Sequence, residues 1–333
     1  MGKEALQNLL GPLDDASHAA LLEKARRATL QRFGRTVQIY APVYLSNECV
    51  DTCLYCGFSR TNRIPRRTLT VDEVVAETRH LIAQGFRHVL YVAGEHPLHV
   101  SPDYLESVLH SVRPLLSSVS IEVAPFGEGV YRRLAAAGLD GVVLYQETYD
   151  RSRYAEVHVA GPKRDFEKRL SHLEDAARAG IRHMGMGILL GLSDWREDAV
   201  ALVGHVRRMQ KRFWQSEIAI SLPRLRPCES DYAPPHPVPD RDFLQLIAAL
   251  RLALPDVGLV LSTREAPALR DRLIGLGVTR MSAGSRTEPG GYLHPEESLK
   301  QFEIEDRRSP ADVAAAIEKK GYEPVWKDWE NLL

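Results

Sequence analysis

The sequence has no excess of charge of either sign and no long apolar run. Its 333 residues carry 43 lysines and arginines against 44 aspartates and glutamates, a net charge of −1. The overall charge therefore does not favour binding to nucleic acid or to a membrane surface. No apolar stretch reaches the roughly 18 residues of a membrane helix, and residues 1–4 contain no apolar segment of the kind found in secretory signals. We therefore expect a cytoplasmic protein.

Aromatic and cysteine residues are also few. Aromatic side chains make up 7% of the chain and hydrophobic ones 44%, ordinary values for a soluble globular protein. The four cysteines are not expected to form disulfides, because nothing indicates secretion. A structural zinc site needs four ligands in two close pairs. Cys228 has no cysteine beside it, and neither His96 nor His99 has paired spacing. We interpret Cys228 as an ordinary thiol near the site.

The other three cysteines, Cys49, Cys53 and Cys56, form the pattern C-x3-C-x2-C. Three thiolates this close in sequence can hold one face of an iron–sulfur cube, whereas most cluster-binding chains supply four cysteines. The fourth iron then stays open to a substrate or cofactor, like the open position of a catalytic metal site. The pattern predicts a four-iron four-sulfur (4Fe-4S) cluster with one iron that the protein does not coordinate.

Apolar and amphipathic segments alternate along the chain. One amphipathic segment begins at Thr70, a candidate N-cap, has Glu73 as the second member of a capping box and ends at Gly85. We interpret the apolar segments as strands at residues 37–45, 88–93, 119–124, 141–145, 184–192, 218–222, 258–262 and 280–283. Eight strands alternating with helices predict an α/β fold, a closed (β/α)8 TIM-type barrel. The rival is a doubly wound open sheet, but no G-x-G-x-x-G turn follows the first strand.

The barrel is expected to occupy residues 36–285. A helical N-terminal lead over residues 1–35 precedes it, and a C-terminal extension over residues 286–333 is expected to pack on it. The residues do not decide whether this extension closes the bottom of the barrel or covers its mouth.

Polar residues follow all eight predicted strands. Active sites of such barrels lie at the C-terminal ends of the strands. A single charge at one strand end is usually a solvated loop residue, but eight polar ends predict one coordinated site. Gly185, Gly187 and Gly191 in the fifth strand allow two interpretations, tight packing or the close approach of a cofactor.

Segments spread along the chain resemble the radical S-adenosylmethionine (radical SAM) enzymes, and among them the 2-iminoacetate synthase family, the tyrosine lyases of thiamine thiazole synthesis. They run from about residue 32 to residue 329. They include YLSNEC at 44–49 with the cysteine motif, GFS at 57–59, NRI at 62–64, YQETY at 145–149, GPK at 161–163, LLGLSD at 189–194, PRLRP at 223–227, MSAGS at 281–285, GGY at 290–292 and VWKDW at 325–329.

The resemblance implies two cofactors, a 4Fe-4S cluster and S-adenosyl-L-methionine. Cys49, Cys53 and Cys56 would hold the cluster, and its open iron would bind the amino and carboxylate groups of S-adenosylmethionine. An electron from the cluster would release methionine and a 5′-deoxyadenosyl radical. The radical would take hydrogen from the amino nitrogen of L-tyrosine. Cleavage of the Cα–Cβ bond would then give 2-iminoacetate and p-cresol.

The same resemblance implies roles for further residues. Those expected to contact S-adenosylmethionine are Tyr55, Phe58, Gly94, Glu95, Glu122 and Arg169. Those expected to bind the substrate are Gln146, Tyr149, Arg264, Ser282 and Ser285, and the expected catalytic residues are Glu147, Arg226 and Ser282. Arg264 is the first choice for the substrate carboxylate because the guanidinium fork matches a carboxylate bidentately. Arg226 and Glu147 are both candidates for the phenol, and the alternative for Arg169 is an exposed charge on a helix.

Several alternatives stay open or are disfavoured by the residues. A tryptophan lyase of the indolic-acid type shares the barrel and the carboxylate-binding arginine, and stays open. The hydrogenase-maturation tyrosine lyase has a second cysteine triplet near its C-terminus, whereas no cysteine follows Cys228. Biotin synthase needs further ligands for a second cluster. A non-catalytic iron–sulfur redox protein would need a fourth ligand, and a metal-dependent hydrolase barrel would need a fuller set of carboxylates and histidines.

The resemblance also implies partners. The unstable imine product suggests a complex with thiazole synthase. The cluster requires a low-potential electron donor such as flavodoxin or ferredoxin. Neither nucleic acid nor a membrane is expected as a partner.

Overall fold

The computed structural model describes residues 1–327. Asp328 and Trp329, which belong to the last resembling segment, and the end of the predicted C-terminal extension lie outside the described residues. Among those that are described, no helix is long and apolar enough to cross a bilayer.

Eight parallel strands form a closed barrel, as predicted. The sheet runs β1-β3-β4-β5-β7-β8-β9-β10, and β10 pairs with β1 to close it. All eight predicted strands are present. The short strands β2 and β6 form a separate antiparallel pair. In chain order the strands are β1 (Thr36–Ser46), β2 (Thr52–Cys53), β3 (His88–Ala93), β4 (Ser118–Glu122), β5 (Gly141–Val143), β6 (His158–Ala160), β7 (His183–Gly187), β8 (Glu217–Ser221), β9 (Gly258–Leu261), β10 (Arg280–Ser282) and β11 (Glu323–Val325).

Helices alternate with the barrel strands and cover them. Thr70 begins α3 as predicted: its hydroxyl accepts the N–H of Glu73, whose carboxylate accepts the N–H of Thr70 at 2.7 Å. The helices are α1 (Lys3–Leu10), α2 (Asp15–Phe33), α3 (Val71–Ala83), α4 (Pro102–Val112), α5 (Glu128–Ala136), α6 (Arg151–Val157), α7 (Phe166–Arg178), α8 (Trp195–Arg212), α9 (Asp240–Ala253), α10 (Pro267–Leu273) and α11 (Pro310–Lys319). Short 3-10 turns lie at Arg113–Leu115, Pro162–Arg164 and Glu297–Leu299.

The segment after β10 reaches both ends of the barrel. Gln301 and Phe302 line the cavity at the C-terminal ends of the strands. Further along, β11 pairs with residues 36–38 of β1, at the opposite end. The extension therefore borders the mouth and also adds a strand at the bottom. The division of the chain at residues 35 and 285 stays a prediction.

A buried ion pair ties this extension to the barrel. Arg270 of α10 contacts Asp306, and both side chains are fully buried. Arg270 also donates to the carbonyl of Ser282 in β10. Arg308 binds Asp306 at 2.7 Å and Asp271 at 3.0 Å. These contacts fix the extension against α10 and β10 because a buried charge must keep its partners.

We expect Asp306→Ala to lower the free energy of unfolding by about 3–5 kcal/mol, because it leaves the Arg270 guanidinium buried without its counter-ion. Urea denaturation followed by circular dichroism measures this change. The matched control is Glu303→Ala, which breaks an exposed pair with Arg307 and should cost at most about 1 kcal/mol. Equal losses in the two variants would contradict the assignment.

Candidate functional site

A large cavity opens at the C-terminal ends of the barrel strands. It encloses about 1360 Å³, part of which is open to solvent. The three cysteines of the motif line it together with residues that follow most of the barrel strands. The predicted site residues that also line it are Tyr55, Phe58, Gly94, Glu95, Glu122, Glu147, Arg169, Arg226, Arg264, Ser282 and Ser285.

The cysteine loop is held by backbone contacts and by one arginine. Strand β2, which contains Cys53, pairs with β6. The guanidinium of Arg66 donates to the carbonyls of Asn47, Phe58, Ser59 and Asn62 at 2.6, 2.9, 2.7 and 3.2 Å. A charged donor with four carbonyl acceptors holds the loop in one conformation. Arg66 lies outside the resembling segments, and no local sequence pattern predicts its role.

The three thiols are in a poorly solvated environment. Burial raises the pKa of Cys49 to about 12 and also raises the pKa of Cys53 and of Cys56. Thiols bind metal as thiolates, so loading a metal centre here must release their protons. The described residues that line the cavity include no fourth cysteine and no histidine.

Gly94 lets the end of β3 approach the cysteine loop. A Cβ at this position would lie 2.3 Å from the carbonyl oxygen of Glu48 and 3.2 Å from the Cβ of Cys49. The N–H of Gly94 donates to the carbonyl of Ser46 at 3.0 Å. Gly94 is therefore required for packing beneath the loop, whatever it contacts in a ligand.

Four charged side chains form a buried network beside the loop. Arg169 of α7 binds Glu95 at 2.9 Å and lies 3.6 Å from Glu147, while Lys163 binds Glu147 at 2.8 Å. Arg169 is buried and its Nε donates to the carbonyl of Tyr145 at 2.7 Å. It is therefore not an exposed helix charge. Two acids and two bases compensate one another, which makes their burial tolerable.

The network sets the charge state of its members. Burial alone would raise the pKa of Glu147, but the charges of Lys163 and Arg169 outweigh it and lower that pKa. Burial and Arg169 oppose the charge of Lys163, but Glu147 holds the pKa of Lys163 well above its usual value. Both groups are therefore ionised at neutral pH.

Lys163 was not among the predicted site residues. Its backbone N–H donates to Asp51 Oδ1 at 2.9 Å. This hydrogen bond joins the 3-10 turn Pro162–Arg164 to the cysteine loop. Gly161 has φ +97°, and a Cβ there would lie 2.2 Å from that same oxygen. Burial, together with the charge of Glu95, raises the pKa of Asp51 to about 6. The segment GPK was a sequence signal for this contact, but it did not reveal that the lysine points into the cavity.

Tyr55 presents its ring to the cavity and its hydroxyl to the protein. The hydroxyl lies 2.8 Å from His158 Nε2, and His158 Nδ1 lies 2.8 Å from the carbonyl of Tyr154. Because that carbonyl can only accept, Nδ1 carries the proton and Nε2 accepts from Tyr55. Burial lowers the pKa of His158 to about 3, which keeps the ring neutral. Phe58 packs edge-to-face with Tyr44 at a centroid distance of 5.9 Å.

Glu122 at the end of β4 has no hydrogen bond to its carboxyl group among the described residues. Burial, and next the negative charge of Glu147, raise its pKa to about 7. A carboxyl group with a pKa near 7 that lies in a cavity, without a hydrogen-bond partner in the described protein, can accept hydrogen bonds from ligand hydroxyls.

Arg264 is a cation without a carboxylate partner among the described residues. Its Cζ lies 3.4 Å from the centroid of the Phe302 ring. Ser285 Oγ is buried and has no hydrogen-bond partner within residues 1–327. Ser282 Oγ accepts the N–H of Thr263 at 3.1 Å. This side of the cavity can bind an anionic group because it offers an unpaired guanidinium and a free hydroxyl.

Gln146 and Tyr149 are not among the residues that line the cavity, and their assignment to the substrate stays a prediction. Tyr149 points outward, where its hydroxyl contacts His205 Nδ1 at 2.8 Å and its N–H donates to Asp198. Gln146 is buried in the protein. Glu147 has φ +70°, a left-handed conformation that interrupts the extended backbone, and its side chain lines the cavity whereas that of Gln146 does not.

Two further predicted residues have protein partners. Arg226 lines the cavity, but its guanidinium contacts Glu305 of the extension. Cys228 Sγ lies 3.4 Å from the carbonyl of Tyr55 and is not among the lining residues.

Gly185 and Gly187 of β7 pack tightly against neighbouring strands. A Cβ at Gly185 would lie 2.6 Å from the Val143 side chain, and a Cβ at Gly187 would lie 2.4 Å from the carbonyl oxygen of Ser221. These contacts favour their interpretation as packing glycines.

Comparison with known families matches most of the chain. Residues 43–203 match the Radical SAM superfamily, and residues 221–323 match the Biotin and Thiamin Synthesis associated domain.

Individual relatives match the chain along nearly its whole length. The 2-iminoacetate synthase of Escherichia coli (strain K12) is 44% identical over 332 residues, which cover 99% of this chain and 88% of that protein. The 2-iminoacetate synthase of Salmonella typhimurium (strain LT2) is 42% identical and covers 100% and 89%. The X-ray structure of the FeFe-hydrogenase maturase HydG from Carboxydothermus hydrogenoformans superposes with a TM-score of 0.92 at 33% identity, covering 97% of this chain and 76% of that one.

We expect Gly94→Ala to abolish most of the iron bound after anaerobic reconstitution, because the added methyl group displaces the cysteine loop. Iron and sulfide analysis of the purified protein measures the loss. Gly204→Ala in α8 is the matched control, since a Cβ there meets nothing within 4 Å. Full iron content in Gly94→Ala would show that the loop does not need this close approach.

Proposed function

The chain belongs to the 2-iminoacetate synthase family of radical SAM enzymes, and from that premise we propose that it is the tyrosine lyase of thiamine thiazole synthesis. It cleaves the Cα–Cβ bond of L-tyrosine to 2-iminoacetate and p-cresol. The geometric observation that supports this function is one cavity that combines three thiols with the guanidinium of Arg264. In the described part of the chain, the cavity lining offers these thiols no fourth cysteine or histidine, and the guanidinium has no carboxylate partner.

Radical SAM enzymes use a 4Fe-4S cluster and S-adenosylmethionine, and the residues of this chain fit both. Cys49, Cys53 and Cys56 supply three thiols from one loop. With no fourth cysteine and no histidine among the described lining residues, one iron would remain free for the cofactor. When bound, the cluster and S-adenosylmethionine supply the one-electron chemistry that removes a hydrogen atom from the substrate.

We assign the binding of S-adenosylmethionine to the side of the cavity that borders the cysteine loop. Glu95 has its carboxylate beside Gly94 and suits a cationic amino group. Arg169 holds Glu95 in place through the 2.9 Å contact, and its role toward the cofactor carboxylate stays a prediction. Glu122 suits the ribose hydroxyls because its carboxyl group has no protein partner. The rings of Tyr55 and Phe58 provide apolar surface for the adenine.

We assign the amino-acid substrate to the opposite set of polar groups. Arg264 binds the carboxylate, and Ser285 donates its free hydroxyl to it. Ser282, Glu147 and Arg226 keep their proposed catalytic roles. Glu147 is already paired with Lys163, and Arg226 with Glu305. A buried phenol needs a polar partner, and a site that provides one discriminates strongly against an analogue without the hydroxyl.

The reaction also requires external components. It consumes S-adenosylmethionine, two electrons and a proton, and it yields methionine and 5′-deoxyadenosine beside the two tyrosine fragments. The electrons require a low-potential donor, for which flavodoxin or ferredoxin is proposed. Thiazole synthase is the proposed acceptor of the unstable imine.

Product analysis with tyrosine and tryptophan side by side tests the proposed function. We expect the reduced, reconstituted enzyme to form p-cresol and 5′-deoxyadenosine from tyrosine, measured by liquid chromatography with mass detection. Tryptophan should yield no aromatic cleavage product. Consumption of tryptophan without consumption of tyrosine would replace the proposal by the indolic-acid type of lyase.

Arg264→Ala should raise the KM for tyrosine by about 10- to 100-fold, because a charge-assisted hydrogen bond of about 1.5–3 kcal/mol is lost. Binding of S-adenosylmethionine, measured by equilibrium dialysis, should be unchanged. Arg272→Ala is the matched control, since Arg272 is exposed on α10 and does not line the cavity. An unchanged KM in the Arg264 variant would rule out its role in carboxylate binding.

A further inference from the structure

Two neighbouring residues of the C-terminal extension reach into the site. Gln301 contacts a cysteine of the motif, and Phe302 contacts the guanidinium of Arg264. We propose that Gln301 raises the reduction potential of the cluster through an N–H···S hydrogen bond to Cys56, and that Phe302 positions Arg264 for the substrate. The Phe302 half rests on the function proposed above, while the Gln301 half needs only the cluster.

The amide of Gln301 has one orientation that satisfies both of its neighbours. Its Nε2 lies 3.7 Å from Cys56 Sγ, and its Oε1 accepts the hydroxyl of Tyr44 at 2.8 Å. The reverse orientation would place the carbonyl oxygen against a cysteine thiolate, which cannot donate a hydrogen bond. With the thiolate bound to iron, Gln301 therefore donates to sulfur.

The backbone around Gln301 is fixed on several sides. Its N–H donates to the carbonyl of Thr287 at 3.0 Å, and the next residue but one, Glu303, donates to the carbonyl of Pro227 at 2.9 Å. On the side of the cysteine loop, a Cβ at Gly57 would lie 2.2 Å from the carbonyl oxygen of Gln301. The contact with Cys56 therefore does not depend on a mobile surface side chain.

A hydrogen bond to a cluster thiolate has a predictable electronic effect. Donors to the sulfur atoms stabilise the reduced cluster, which carries the larger negative charge, and they therefore raise its reduction potential. The effect is largest where solvent is excluded, and Cys56 is half-buried, with the Gln301 amide in contact with its sulfur atom. Loss of the Gln301 amide should shift the potential to a more negative value.

Phe302 acts on the other half of the site. The guanidinium of Arg264 lies over its ring, at 3.4 Å from Cζ to the centroid. This cation–π contact holds the guanidinium over the ring without occupying its hydrogen-bond donors. Thr287 Oγ1 donates to the carbonyl of Phe302 at 3.0 Å and fixes the backbone of the residue that carries the ring. A carboxylate partner would compete with the substrate, whereas an aromatic ring leaves the donors free.

The experiment uses the full-length protein with its cluster reconstituted, and four variants: Gln301→Met, Gln301→Leu, Phe302→Leu and Phe302→Tyr. Iron content and circular dichroism first establish that each variant is folded and loaded. The reduction potential is then measured without S-adenosylmethionine, by redox titration followed by electron paramagnetic resonance. The KM for tyrosine is measured with a chemical reductant in excess, so that a change in potential does not limit turnover.

The Gln301 variants are the controls for the KM measurement, and Phe302→Leu is the control for the measurement of the reduction potential. Both Gln301 variants should have a more negative potential and an unchanged KM for tyrosine. Phe302→Leu should keep the parent potential and raise the KM by about fivefold, which corresponds to about 1 kcal/mol of lost cation–π attraction. Phe302→Tyr should restore the parent KM.

Distinct results overturn each part. An unchanged potential in the loaded Gln301 variants would refute the hydrogen bond to sulfur, and an unchanged KM in Phe302→Leu would refute the positioning of Arg264. If Gln301→Leu and Gln301→Met do not load iron, Gln301→Glu replaces the N–H donor by an oxygen that cannot donate to sulfur, and an unchanged potential there would equally refute the first part. If the parent enzyme itself does not cleave tyrosine, the proposed function fails, while a shifted potential still supports the role of Gln301.

Discussion

Three close backbone contacts hold the cysteine loop in place. Each occurs at a glycine, because the two segments lie too close together for a side chain to fit between them. Gly94 lies against the carbonyl of Glu48, Gly161 against Asp51, and Gly57 against the carbonyl of Gln301. These contacts join the loop to the end of β3, to the turn after β6 and to the C-terminal extension. Three thiols can present one open face to a cavity only if the backbone that carries them does not move, and the rest of the site is arranged around that loop.

Charge compensation makes the remainder of the cavity stable. Glu95, Glu147, Lys163 and Arg169 are buried together, and each has a partner of opposite charge. All four line the same cavity as Glu122 and Arg264, which have no salt-bridge partner among residues 1–327. The compensated charges hold one another in position, whereas Glu122 and Arg264 can each bind a ligand group without first losing a charged partner.

The C-terminal extension is part of the site as well as of the fold. Its first half brings Gln301 and Phe302 to the mouth of the barrel, the buried Arg270–Asp306 pair fixes it against α10, and β11 adds to the opposite end of β1. One continuous segment thus connects the cavity with the bottom of the barrel.

The sequence alone was sufficient for the barrel, the cysteine motif and the family. Hydrophobic periodicity and the capping box at Thr70 are local properties, and the C-x3-C-x2-C spacing lies within eight residues. Only the tertiary structure decided which polar residues meet. Gln146 and Glu147 are adjacent in the chain, yet only Glu147 enters the cavity. Gln301 contacts Cys56 although 245 positions separate them, and Lys163 meets Glu147 through a turn outside the barrel. Such contacts depend on backbone direction and on packing between distant segments, and neither is written in the local pattern of residues.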